Sequence, residues 1–123
     1  MSMSDRRTPS VTSELNSLDL AVDEADTTLV LRIGGEFDRA GVGPIENVLD
    51  RLSQAPHLSR LVFDLSELAF LDLAGLRTIL RANARGRTSA CEVVVVRPRS
   101  PANRVFTLTR AGEELKMVDQ LDP

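Results

Sequence analysis

Two acidic residues, each at the point where a strand gives way to a helix, are the side chains of this sequence best placed to do chemistry. Asp38 closes Gly35-Glu36-Phe37-Asp38, and Asp72 lies inside Phe70-Leu71-Asp72-Leu73-Ala74-Gly75-Leu76. In open α/β sheets functional sites gather at the carboxyl ends of strands. A carboxylate there can cap the free N–H groups of the next helix, and it can face a partner. Catalysis would need further polar groups converging on these positions, and the sequence offers none. The chain is therefore read as a binding protein and not as an enzyme.

Other reactive residue types stand alone. His57, in Ala55-Pro56-His57-Leu58, is the only histidine and has no Cys, Asp or Glu cluster at ligand spacing, so no metal is expected. Cys91, the only cysteine, opens a valine run and reads as a small core residue. One cysteine excludes an internal disulfide and fits a reducing compartment. Gly34-Gly35 and Gly41-x-Gly43 are not followed by Lys-Ser/Thr and do not match a dinucleotide fingerprint. No nucleotide or other cofactor is expected. Arg77, Arg81 and Arg85 recur every fourth residue on one helix face, either a solvated stripe or a dock for an acidic surface.

The elements that must position these residues follow from periodicity. Leu18, Leu20 and Val22 alternate with polar residues, as do Leu29, Leu31 and Ile33; two strands are predicted, joined by a turn over 23–27 and ended by Gly34-Gly35. Pro44 suits the first turn of a helix whose stripe is Ile45, Val48, Leu49 and Leu52. Leu61 to Leu65 reads as a central strand buried on both faces. Asp72 then caps a second helix with Leu73, Leu76, Ile79 and Leu80 on its apolar side and Gly86 at its end. Val93 to Val96 is another central strand. Ser100-Pro101 starts a third helix that buries Val105, Phe106 and Leu108 and stops at Gly112. Leu115 to Val118 is the last strand. The order ββαβαβαβ implies an α/β fold, a mixed sheet with helices packed mainly on one face.

Composition bounds the rest. The 123 residues are 42% hydrophobic and 27% charged, enough for one aliphatic core. Aromatics make up 3% and the net charge is −3, which argues against stacking on single-stranded nucleic acid and against binding driven by phosphate neutralisation. No apolar run approaches the ~20 residues of a membrane span, and Met1 to Ser13 lacks a signal-peptide core. A cytoplasmic protein with a disordered tail over 1–13 and one domain over 14–120 is expected.

With this element order, the segments around Asp38 and Asp72 resemble the STAS domain of anti-sigma-factor antagonists, over roughly Leu15 to Val118. The resemblance implies a module that binds an anti-sigma factor, a serine kinase of histidine-kinase-like ATPase fold, and so influences sigma-factor-dependent transcription. It places the partner surface at Asp38, Asp72, Leu73, Ala74, Gly75 and Arg77. Family members carry a phosphorylatable serine directly before the glycine, in a motif close to Asp-Ser-Ser-Gly-Leu; this chain reads Asp72-Leu73-Ala74-Gly75-Leu76, with Ala74 in the acceptor's place. A switch that is not phosphorylated at the usual position is implied. Ser66 and Thr78 are the nearest substitute hydroxyls. The alternative is a STAS scaffold or small-ligand sensor in a signalling assembly, associating with itself or with other STAS proteins.

Overall fold

The computed structural model describes residues 7–12, 18–52 and 54–121. Its elements are β1 (Arg7–Thr12), β2 (Leu18–Ala25), β3 (Thr28–Phe37), α1 (Arg39–Leu52), β4 (Arg60–Asp64), β5 (Leu68–Leu71), α2 (Leu73–Thr88), β6 (Glu92–Val96), α3 (Arg104–Leu108), α4 (Ala111–Glu114) and β7 (Lys116–Val118). The strands form one mixed sheet in the order β1-β2-β3-β4-β6-β7. β1, β2 and β3 are antiparallel; β4, β6 and β7 add in parallel. β5 pairs with β3 beyond the point where β4 stops.

Alternation along the strands sorts the two faces. Leu29, Leu31, Leu61, Phe63, Val93 and Val95 join Ile45, Val48, Leu49, Leu76 and Ile79 of the helices in the main core. Val62, Val94 and Val96 point the other way and form a second cluster with Val30, Val118 and Leu121, which contains no helix residue. The expected α/β fold, with a mixed sheet and its helices mainly on one face, is what the chain adopts.

Several boundaries differ from expectation. The stretch expected as a disordered tail contains β1, whose backbone pairs with β2 from Arg7↔Asp23 to Thr12↔Asp19; its sequence, RTPSVT, has no apolar alternation to announce a strand. Residues 1–6 and 13–17 lie outside the described residues. β3 does not end at Gly34-Gly35 but runs through them, because both stay in the ladder opposite Asp19 and Leu18. Gly35 takes φ 75° where the register against β5 shifts, a conformation open to glycine. α1 starts at Arg39, so Pro44 lies in its second turn.

α2 continues past Gly86 to Thr88. A Cβ at Gly86 would lie 2.5 Å from the Cys91 carbonyl oxygen, so this glycine serves close packing and not termination. The third helix begins at Arg104, after turns over 100–103, and ends at Leu108. Being one turn and a half long, it buries Phe106 and leaves Leu108 75% exposed. Gly112 falls inside α4, after a break at Arg110, whose φ is 62°.

Candidate functional site

The site is built where β3 and β5 end side by side. Phe37 and Leu71 are in parallel register, so Asp38 and Asp72 leave adjacent strands at the same level. The Asp72 backbone N–H donates to the Phe37 carbonyl across this end (3.2 Å). Each aspartate then starts a helix. Asp38 Oδ1 accepts from the Ala40 N–H at 3.0 Å, and Asp72 Oδ1 accepts from the Gly75 N–H at 3.0 Å. Both satisfy N–H groups that a helix's first turn leaves unpaired.

The close seating of α2 depends on Gly75. A Cβ there would lie 2.7 Å from the Phe37 carbonyl oxygen and 2.7 Å from Leu71 Cδ1. Gly75 is buried, so of the six residues expected to form the partner surface it contributes packing and no exposed area. Leu73, expected on the apolar side of the helix, instead faces solvent at 55% exposure. Its place in the buried row is taken by Gly75, Leu76, Thr78, Ile79, Ala82 and Gly86.

Sequence reasoning leaves Phe70 out of the site. It lies on β5 opposite Glu36 and is 49% exposed. Phe70 and Leu73 flank Asp72, and Arg77 follows Leu73 one turn along the helix, exposed and without an ion pair among the described residues. The surface so formed sets the exposed apolar side chains of Phe70 and Leu73 among Glu36, Asp38, Asp72 and Arg77. A large exposed Phe-Leu pair beside a strand end can be found only by recognising β5, which brings Phe70 out and Leu71 in.

The other arginines of the stripe are occupied. Arg81 pairs with Glu46 at 3.1 Å and Arg85 with Asp50 at 3.6 Å, both on α1. They tie the two helices together. The nearest hydroxyls to Ala74 are also committed: Thr78 is fully buried and donates to the Ala74 carbonyl (3.0 Å), and Ser66 Oγ donates to Asp64 Oδ1 (2.7 Å). His57 lies elsewhere, exposed and 2.9 Å from Glu24. Among the described residues no cluster of three metal-ligating side chains occurs, and no helix is long and apolar enough to cross a membrane.

This arrangement can offer a shaped, mixed apolar and charged surface at two helix N-termini. Three solved structures share the fold. An anti-sigma factor antagonist from Mycobacterium paratuberculosis aligns at 24% identity over 91% of this chain and 93% of that one, with a TM-score of 0.73. TM1081 from Thermotoga maritima aligns at 20% identity over 81% and 86%, TM-score 0.73. The Bacillus cell fate determinant SpoIIAA in its phosphorylated form aligns at 18% identity over 82% and 92%, TM-score 0.65. Residues 20–119 match the family model described as "Mlab, STAS domain", most of the chain, and the protein therefore belongs to the STAS domain family.

Proposed function

We propose that this chain is a non-enzymatic regulatory module of the anti-sigma-factor-antagonist kind, acting in the cytoplasm on sigma-factor-dependent transcription. Its partner is an anti-sigma factor, a serine kinase of histidine-kinase-like ATPase fold, docked on the surface of Asp38, Phe70, Asp72, Leu73, Ala74 and Arg77. The observation that carries this reading is the exposure of Phe70 and Leu73 beside the two aspartate caps. Large apolar side chains left in water next to charged groups at a strand-end site are what a protein interface is built around.

Ala74 stands where antagonists of this family carry their phosphoacceptor. An alanine has no hydroxyl, and neither neighbouring hydroxyl replaces it: the Thr78 side chain is buried and the Ser66 side chain is bound to Asp64. A phosphate would bring about −1.5 to −2 charge to a surface already holding Asp38 and Asp72. Its permanent absence leaves the module in the form that binds.

The test pairs the purified protein with an anti-sigma kinase of its own host, with binding read by interferometry and phosphorylation by intact mass after incubation with ATP. A complex is expected, at least tenfold weaker for Leu73→Glu and for Ala74→Glu, with no mass gain. Failure to bind any such kinase overturns the antagonist reading. A stoichiometric gain of one phosphate under native conditions overturns the unswitched state.

A further inference from the structure

At the opposite end of the α1–α2 pair from the aspartate caps lies a cavity of about 360 Å³. Its walls include Leu49, Leu52, Leu58, Leu61, Ala82 and Val93. None of these belongs to the surface described above. A void of ~150 Å³ lined by aliphatic residues holds benzene, so this one has room for a molecule of up to roughly a dozen heavy atoms. The cavity opens to solvent at one side, and the small side chains of Ala55 and Ala82 leave space in it that leucine would fill.

The polar groups at the mouth decide the ligand's chemistry. Arg85 is engaged with Asp50 on α1. Thr88 Oγ1 and Ser89 Oγ each donate their proton to the Arg85 carbonyl, at 2.9 Å in both cases. With their protons so directed, both hydroxyls keep acceptor lone pairs for a ligand's donor. α1 ends at Leu52 and α2 at Thr88, so two helix C-termini face the mouth, and their dipoles oppose an anion. The Asp50 carboxylate offsets the Arg85 cation, so that pair adds no net attraction for an anion. Cys91 completes the wall as a neutral thiol, its pKa raised first by burial and then by the Glu92 charge.

We propose that this cavity is a binding site for a neutral, mainly aliphatic ligand of up to about a dozen heavy atoms that carries one hydroxyl, donated to Thr88 or Ser89. The site is independent of the antagonist reading, since it shares no residue with that surface.

The probe is 1-octanol, with octanoate as its charged counterpart. Cys91 is the only cysteine and lines the cavity, so a slowing of its labelling by a bimane reagent at pH 8.5 that the filled variants lose reports occupancy. Saturating 1-octanol is expected to slow labelling at least fivefold and to raise the melting temperature, with octanoate binding at least fivefold more weakly. Ala82→Leu should abolish protection. Ala55→Leu, at the half-buried rim, should do the same with less disturbance than at fully buried Ala82, with folding of both variants checked by circular dichroism. Unchanged labelling in 1-octanol, or equal protection in a folded, filled variant, overturns the site. Octanoate binding as tightly as 1-octanol overturns the neutral class. Binding of the anti-sigma kinase is a separate readout and fails or succeeds without regard to this result.

Discussion

At the scale of single residues, the strand-end site rests on two caps and one glycine. Asp72 removes one unpaired N–H from the start of α2 through its bond to Gly75. Asp72→Ala is expected to destabilise the protein by about 1 kcal/mol in urea titration, and Asp72→Asn by much less, since asparagine caps as well. Gly75→Ala tests something different. In an exposed helix, alanine is about 1 kcal/mol better than glycine, but here its Cβ would stand 2.7 Å from the Phe37 carbonyl. The backbone cannot yield as a flexible side chain would, so Gly75→Ala is expected to cost about 1–3 kcal/mol, as overpacking does. Gly112 gives the internal control. It lies in α4 with no proline after it, and a Cβ added there would meet nothing closer than 3.8 Å, an ordinary contact, so Gly112→Ala should stabilise by about 0.5–1 kcal/mol. Opposite signs for one substitution at two helical glycines would establish that contact, and not propensity, governs Gly75. Equal signs would remove the argument for close seating.

At the scale of elements, the caps are legible in the sequence and the phase of α2 is not. An aspartate ahead of Leu-Ala-Gly-Leu, after an apolar run, reads as a helix start by spacing alone, and the structure places the bond there. Leu73, Leu76, Ile79 and Leu80 look like one stripe, yet the helix turns so that Gly75, Leu76, Ile79, Ala82 and Gly86 face the sheet. Hydrophobicity patterns give no weight to glycine, while the two glycines mark the closest approaches to β3 and to Cys91. β5 is hidden for a related reason. Its four residues bury Leu68 and Leu71 and expose Ala69 and Phe70, and the register shift beside Gly35 breaks the period of two. Sequence reasoning therefore locates the site to its segments and includes Leu73, but it leaves out Phe70 and also counts Leu73 on the buried side of the helix. The phase has a direct test. Leu76→Ala should cost about 2–5 kcal/mol, as buried leucines do, whereas Leu73→Ala should fall within about 0.5 kcal/mol of the parent. If chemical denaturation shows comparable losses for both, Leu73 is packed and the proposed surface loses its centre.

At the scale of the whole molecule, the sheet is covered unequally. One face carries the helices. The other carries a valine cluster, Val62, Val94 and Val96, bordered by ion pairs that run across strands: Arg32 with Asp64, and Arg60 and Lys116 both with Glu92. Glu92 joins β4, β6 and β7, elements far apart in sequence, so it links the edge of the sheet to its centre. Its pKa is lowered, foremost by the hydrogen bond from Lys116 and further by that from Arg60, while burial opposes them without reversing the direction. A carboxyl group held below its unfolded value binds fewer protons in the folded state, so its contribution to stability is complete above the unfolded pKa. That contribution is lost as pH falls through the lowered folded value. Water screens these exposed pairs, which keeps the effect to about 1 kcal/mol or less. Urea midpoints measured from pH 7 down to pH 3 should therefore fall more steeply for the parent than for Glu92→Gln, with the two curves converging at the acid end. Parallel curves would mean that the three-strand network contributes no pH-dependent stability, and that the backbone ladder to β6 and apolar packing hold β7 to the sheet.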